Sequence, residues 1–281
     1  MQPNAEVVVV VLPNYLQILG AARALGGYVS PVYLVPQQGR WALDLDQLRR
    51  AITSRTALVA VNNPTGAVLT EGEIGAIRDN AARVGAWILA DEVYRGAEWD
   101  GEAGPSLWGQ CDRVLVTSGL SKAYGLPGLR VGWIVASSTK IAELWSYKDY
   151  TSISPNPVAD RLARQALSPE RLGQIVERTK GILRSQHPLV SAWLARHTDF
   201  FEAFPPRAGA IVFPRRRFEM NSTAFVEQLR DEKNVLLVPR EHFGLDRFLR
   251  IGVGIERELL EAGLELVSEF LSSSTTFAPA A

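Results

Sequence analysis

Ser118-Gly119-Leu120-Ser121-Lys122-Ala123-Tyr124-Gly125-Leu126-Pro127-Gly128-Leu129-Arg130-Val131-Gly132 joins two strand-like runs, 113–117 and 131–135. Both runs are short and rich in β-branched residues, the pattern of buried strands. The joining segment is glycine-rich and carries hydroxyls, a lysine and an arginine just past the end of a strand. Open parallel sheets bind ligands at that end.

Working outward from this segment, strands and helices alternate. Val7-Val8-Val9-Val10-Val11-Leu12 is fully apolar and reads as a strand buried on both faces. A helix is expected over 16–25, closed by Gly26-Gly27, then a strand over 28–35. A helix over 43–53 places Leu45, Leu48 and Ile52 on one face. A strand at 57–61, a helix at 71–84 and a strand at 86–90 follow. This alternation predicts an α/β domain with a mainly parallel sheet. Beyond about Pro157 the pattern changes to helical periodicity over 159–194, strands at 210–213, 235–238 and 248–253, and a closing helix at 256–271. The expected division is a large domain at 1–185, a smaller α+β C-terminal domain at 186–271, and a disordered tail at 272–281.

Composition narrows the function. Apolar residues make up 47% of the 281, enough for a sizeable core. Thirty basic and 30 acidic residues give zero formal charge, which argues against nucleic acid as a partner. No apolar run is long enough to span a bilayer, so no membrane role is expected and the default location is cytoplasmic. Cys111 stands alone, and the Cys/His spacing suits no metal site. His187, His197 and His242 read as surface or capping residues.

Two more strand ends carry polar segments, Asn62-Asn63-Pro64-Thr65-Gly66 and Asp91-Glu92-Val93-Tyr94, and Leu249-Arg250-Ile251-Gly252 comes late in the chain. N-P-T-G, D-E-V-Y, S-K-x-x-G-L-P-G-L-R-x-G and L-R-I-G, in that order, resemble the class I/II aminotransferases of pyridoxal-phosphate (PLP) fold type I. The resemblance runs from about residue 7 to 271.

The resemblance implies a cofactor, pyridoxal 5′-phosphate, and a role for each matching residue. Lys122 would carry the cofactor covalently and, once released, shuttle protons. Asp91 would keep the ring nitrogen protonated. Asn63 and Tyr94 would hold the ring 3-oxygen, with Asn63 also near the substrate. Tyr15, in Pro13-Asn14-Tyr15 after the first strand, would stack on the ring. Arg130 and Ser121 would bind the phosphate. Gly119 stands where the family usually has serine, with Ser118 the candidate substitute. Arg250 would read the substrate carboxylate with its guanidinium fork.

The implied activity moves an amino group from an amino acid to a 2-oxo acid. Two alternatives stay open: another PLP reaction on an amino acid (elimination, cyclisation or oxidation), or a binding relic of the fold without turnover. A homodimer is expected, with Tyr150-Thr151-Ser152-Ile153-Ser154 where the resemblance places partner-facing residues. In the resembling family the strand Val7–Leu12 sits well inside the large domain, so on the order of 100 residues are expected before it.

Overall fold

The computed structural model describes residues 7–99, 101, 103–239, 241, 245–273 and 277. In chain order the large domain holds β1 (Val7–Leu12), α1 (Leu16–Ala24), β2 (Tyr28–Gln37), β3 (Arg40–Leu43), α2 (Leu45–Ala51), β4 (Thr56–Asn62), α3 (Glu71–Val84), β5 (Trp87–Asp91), β6 (Val114–Gly119) and β7 (Gly132–Val135). These strands form one sheet in the order β3-β2-β1-β4-β5-β6-β7. Pairing is parallel from β2 through β6, and the two edge strands are antiparallel.

β1 is buried along its whole length because the sheet is covered on both faces. Val7, Val9 and Val11 enter one core, whereas Val8, Val10 and Leu12 enter the other. The strand's two-residue period thus feeds both faces, and each buried side chain contributes roughly 1.5–3 kcal/mol.

β3 departs from the sequence reading, which takes Tyr28 onward as a single strand and starts a helix at residue 43. Gln38 and Gly39 both adopt positive φ, +51° and +74°, and turn the chain into a hairpin. Such turns favour Asn-Gly or Asp-Gly, so Gln-Gly gives little warning. α3 begins in a capping box: Thr70 accepts from Glu73 N–H, and the Glu73 carboxylate accepts from Thr70 N–H.

Next come α4 (Ser138–Trp145), α5 (Pro157–Ala166) and α6 (Pro169–Arg196). The single helical stretch expected over 159–194 is two helices. Pro169 holds the preceding Ser168 extended, with φ −64° and ψ 148°, and starts a new helix. α6 then runs unbroken past residues 185 and 186, so the expected domain boundary falls inside a helix that both parts share. His187, read from sequence as a surface or capping residue, is buried in α6; His242 lies outside the described residues.

The smaller part holds β8 (Phe201–Glu202), β9 (Ile211–Val212), β10 (Arg215–Arg216), α7 (Ser222–Lys233), β11 (Val238–Pro239), β12 (Leu249–Gly252) and α8 (Arg257–Ser273). Its core is aromatic: Phe225 and Phe277 each contact the other and both Phe218 and Phe270, at 5.1–5.6 Å between ring centres. The tail expected at 272–281 is therefore ordered in part: α8 continues through Ser273, and Phe277 is buried in this cluster. Its remaining residues, 274–276 and 278–281, lie outside the described residues. Among the described residues no helix is long and apolar enough to cross a membrane.

Candidate active site

Parallel register brings the carboxyl ends of β1, β4, β5 and β6 to one edge, with Asn62 opposite Asp91 and Asp91 opposite Thr117. A cleft of about 660 Å³ opens there, and Ile211, Phe213 and Arg250 from the smaller part close its far side. Tyr15, Asp91, Tyr94, Ser118, Ser121, Lys122, Arg130 and Arg250 all line it. Residues far apart in sequence are thus gathered in one place, as their motifs lead one to expect.

Asp91 ends β5 and accepts from Val93 N–H at 3.1 Å. Burial pushes its carboxyl above the usual range, against the pull of Val93 N–H and of Lys122. Tyr94 lies one turn on. Burial pushes its phenol up as well, and the nearby Arg250 guanidinium pulls it part of the way back. The Lys122 ammonium stands 5.9 Å from the centre of the Tyr94 ring.

Backbone bonds fix the lysine loop. Ala123 N–H donates to Val93 O at 3.3 Å, Leu120 N–H to Val131 O at 3.0 Å, and Leu126 N–H to Leu120 O at 2.8 Å. Lys122 is thereby braced on the segment that follows Asp91. Gly119 and Gly132 face each other across β6 and β7. A Cβ on Gly119 would lie 3.0 Å from Val131 O and 3.1 Å from the Gly132 Cα. That close approach explains why glycine replaces the serine expected there. Ser118, next to it, presents its hydroxyl to the cleft and donates to Glu92 O at 3.4 Å. Arg130 takes a left-handed backbone, φ +54°, and one guanidinium nitrogen donates to Pro127 O at 3.0 Å.

Asn63 does not line the cleft, contrary to the sequence reading. It is buried, its amide donating to Pro105 O at 3.0 Å and its oxygen accepting from Leu69 N–H at 3.0 Å. Its neighbour Asn62 lines the cleft instead and donates to the Asp91 carbonyl at 2.7 Å. Adjacent residues at a strand end point to opposite sides, and a motif cannot choose between two asparagines in a row.

Asn14, Gln17 and Thr65 also line the cleft, and the sequence reading gave none of them a role. Asn14 is 5% exposed. Its oxygen accepts from Tyr15 N–H at 2.7 Å, which fixes the amide orientation and leaves Nδ2 without an acceptor among the described residues. A buried donor left so is costly unless a ligand supplies an oxygen.

The mainly parallel sheet thus presents an amine, a half-buried carboxylate and two arginines to one cleft, the place and the kind of lining of a small-molecule site. The profile of the family Aminotransferase class I and II matches residues 1–267, and the chain belongs to that family. It is 36% identical over 271 residues to capreomycidine synthase from Streptomyces vinaceus, covering 95% of this chain and 68% of that protein. It is 27% identical to aromatic-amino-acid aminotransferase 2 from Thermococcus litoralis, over 95% of this chain and 70% of the relative. Among solved structures, a PLP-dependent aminotransferase from Streptococcus suis superposes with a TM-score of 0.88 at 32% identity, over 100% of this chain and 73% of that one.

The family's cofactor is pyridoxal 5′-phosphate, and the residues present fit it. The cleft supplies an amine at Lys122, a half-buried acid at Asp91, an aromatic face at Tyr15, and hydroxyls plus a guanidinium at Ser118, Ser121 and Arg130. The buried Asn14 Nδ2, which has no acceptor among the described residues, is a donor that a ligand oxygen would satisfy.

Proposed function

We propose that this enzyme transfers the amino group of an amino acid to a 2-oxo acid. The observation that carries the reading is the grouping of Lys122, Asp91 and Arg250 around one cleft. Bound pyridoxal 5′-phosphate supplies a carbonyl for the amine and a ring that draws electrons from the substrate Cα. Lys122 would hold it covalently, Ser118, Ser121 and Arg130 its phosphate, and Tyr15 one face of its ring. Asp91 keeps a proton at the ring nitrogen. Arg250 binds the substrate carboxylate and so orients Cα toward Lys122. Once the substrate amine has displaced Lys122 from the cofactor, the freed Lys122 amine would take up the Cα proton and hold it within the cleft for return. Tyr94, beside Arg250 in the cleft, would hold the ring oxygen.

A second reading, another reaction of an amino acid on the same cofactor, is favoured by the 36% identity to a protein named a synthase. One product assay separates the two. The loaded enzyme is given a panel of amino acids with and without a 2-oxo acid acceptor. A new oxo acid formed only with acceptor supports transfer; ammonia release without acceptor overturns it in favour of elimination.

The reading extends to a homodimer of the cytoplasm engaged in amino-acid biosynthesis. Trp145, Tyr147, Tyr150 and Ile153 are 62–87% exposed on one short segment, an apolar surface suited to a second copy. The lone free Cys111 suits a reducing compartment. A monomer by light scattering at micromolar concentration, with full activity, overturns the dimer.

A further inference from the structure

Two neighbouring polar residues, Gln186 and His187, are buried in the middle of α6, at 3% and 1% exposure. Buried polar side chains persist where they are bonded. Gln186 Nε2 donates to the Ile255 carbonyl, and His187 Nε2 lies 2.9 Å from the Gly209 carbonyl. A carbonyl only accepts, so Nε2 carries the hydrogen. Burial holds the imidazole below its usual range, consistent with a neutral ring.

Both carbonyls flank strands that reach the cleft. Gly209 precedes β9, which carries Ile211, and Ile255 follows β12, which carries Arg250. The strands are joined by the pair Ile251 and Val212, and Val253 N–H donates to Ala210 O at 2.8 Å. One turn of α6 therefore holds one end of the antiparallel strand pair that delivers the carboxylate-binding arginine, where the start of β9 lies beside the end of β12.

Gly209 also lies beside Tyr94. Its N–H donates to Ala97 O at 2.9 Å, and a Cβ there would sit 3.4 Å from the Tyr94 ring. The His187 ring stacks on Trp99 at 4.8 Å. His187 Nδ1, Trp99 Nε1 and Gln186 Oε1 have no partner among the described residues, so His187 and Gln186 each hold their strand by a single bond. Proline at 188 contributes no backbone N–H to that turn of the helix.

We propose that Gln186 and His187 are positioning residues: they clamp β9 and β12 to α6 and thereby set Tyr94 and Arg250 against each other in the cleft. The proposal rests on the roles given above to Tyr94 and Arg250. Neither clamp residue touches substrate.

The test uses the cofactor-loaded enzyme. His187→Phe keeps the stack on Trp99 and removes the donor; Gln186→Leu removes the other bond; His187→Gln can restore a donor. Gly209→Ala perturbs the same contact from the opposite side. The readouts are kcat, KM, the thermal midpoint, and the pH midpoint of the visible absorbance change, which senses a hydroxyl bonded to the cofactor. The expected result for His187→Phe, assayed well below its thermal midpoint, is a loss of catalytic efficiency on the order of 10–100-fold; the midpoint itself drops because the buried Gly209 carbonyl loses its donor, and His187→Gln partly rescues both. If Tyr94→Phe shifts the absorbance midpoint, His187→Phe should shift it too, with no added shift in the double variant. An additive shift, or none from His187→Phe, overturns the clamp. If Tyr94→Phe shifts nothing, the role of Tyr94 fails separately, and KM decides the clamp. A raised KM for the amino donor in Gln186→Leu and Gly209→Ala supports it; unchanged KM in both overturns it.

Discussion

Lys122 points its ammonium at the Tyr94 ring, 5.9 Å from the ring centre, within the field of the Asp91 carboxylate. An amine placed beside an acid and a phenol in a cleft is set up to exchange protons. Borohydride reduction of the cofactor-loaded protein is expected to leave the label on the peptide containing Lys122. Lys122→Ala should lose that label, and turnover should fall by roughly 10²–10⁴ or more. A label on any other lysine sinks the assignment.

Asn62 and Asn63 are expected to separate function from stability. Asn63→Ala strips the partners from two buried backbone groups, Leu69 N–H and Pro105 O. It should destabilise the fold by about 1–3 kcal/mol per orphaned group while leaving kcat per folded molecule near wild type. Asn62→Ala removes a cleft residue tied to Asp91, so kcat should fall with a smaller loss of stability. Chemical denaturation and kinetics on the same preparations check both. The reverse pattern would restore Asn63 as the site residue.

Much of this was legible in the sequence because two signals agreed. The Val7–Leu12 run and the alternation after it require a sheet buried on both faces, and the polar segments fall at its strand ends. Lys122, Asp91 and Arg250 could be brought to one cleft from sequence because their motifs sit on or just after strands that reach it. What stayed illegible depended on single-residue geometry or on distant contact. The β3 hairpin turns on a left-handed Gln38, and the break before α6 on the φ and ψ of Ser168. Phe277 looks like part of a Ser/Thr/Ala/Pro tail, and only rings from residues 218, 225 and 270 make it core. Gln186 and His187 bond backbone carbonyls, which carry no sequence signature.

Returning serine to position 119 should weaken the protein. The added Cβ meets backbone atoms of Val131 and Gly132, at the start of β7, at 3.0 and 3.1 Å, and these must move rather than a flexible side chain. Overpacking of this kind costs typically 1–3 kcal/mol. Gly119→Ser is therefore expected to lower the thermal midpoint without improving PLP affinity. Ser118→Ala should do the opposite, weakening PLP binding with little effect on the midpoint. Tighter PLP binding in Gly119→Ser, at unchanged stability, would show that the strand gap accepts a side chain.

Glu73 gives the fold a pH dependence of known sign. Burial pushes its carboxyl up, but bonds from Thr70 N–H at 2.8 Å, Leu43 N–H at 2.8 Å and the Thr70 hydroxyl, with Arg40 nearby, outweigh burial and hold it below the usual range. A carboxyl lowered in the folded state contributes stability that is fully present above its unfolded value, about 4.3. That contribution is lost as pH falls through the folded value. Asp91 and Glu92 have the opposite sign, because burial raises both, so a wild-type profile alone would mix the effects. The difference between wild type and Glu73→Gln isolates the one group. The amide can still accept from Leu43 N–H, but it turns an N–H₂ toward the donors of Thr70 and Arg40, so a loss of about 1–3 kcal/mol is expected at pH 7. Thermal midpoints recorded for both proteins from pH 7 down to pH 3 should converge below about pH 4.3, as the wild-type carboxyl takes up its proton. Parallel profiles across that range would mean that the charge on Glu73 does not stabilise the junction of β3 and α3.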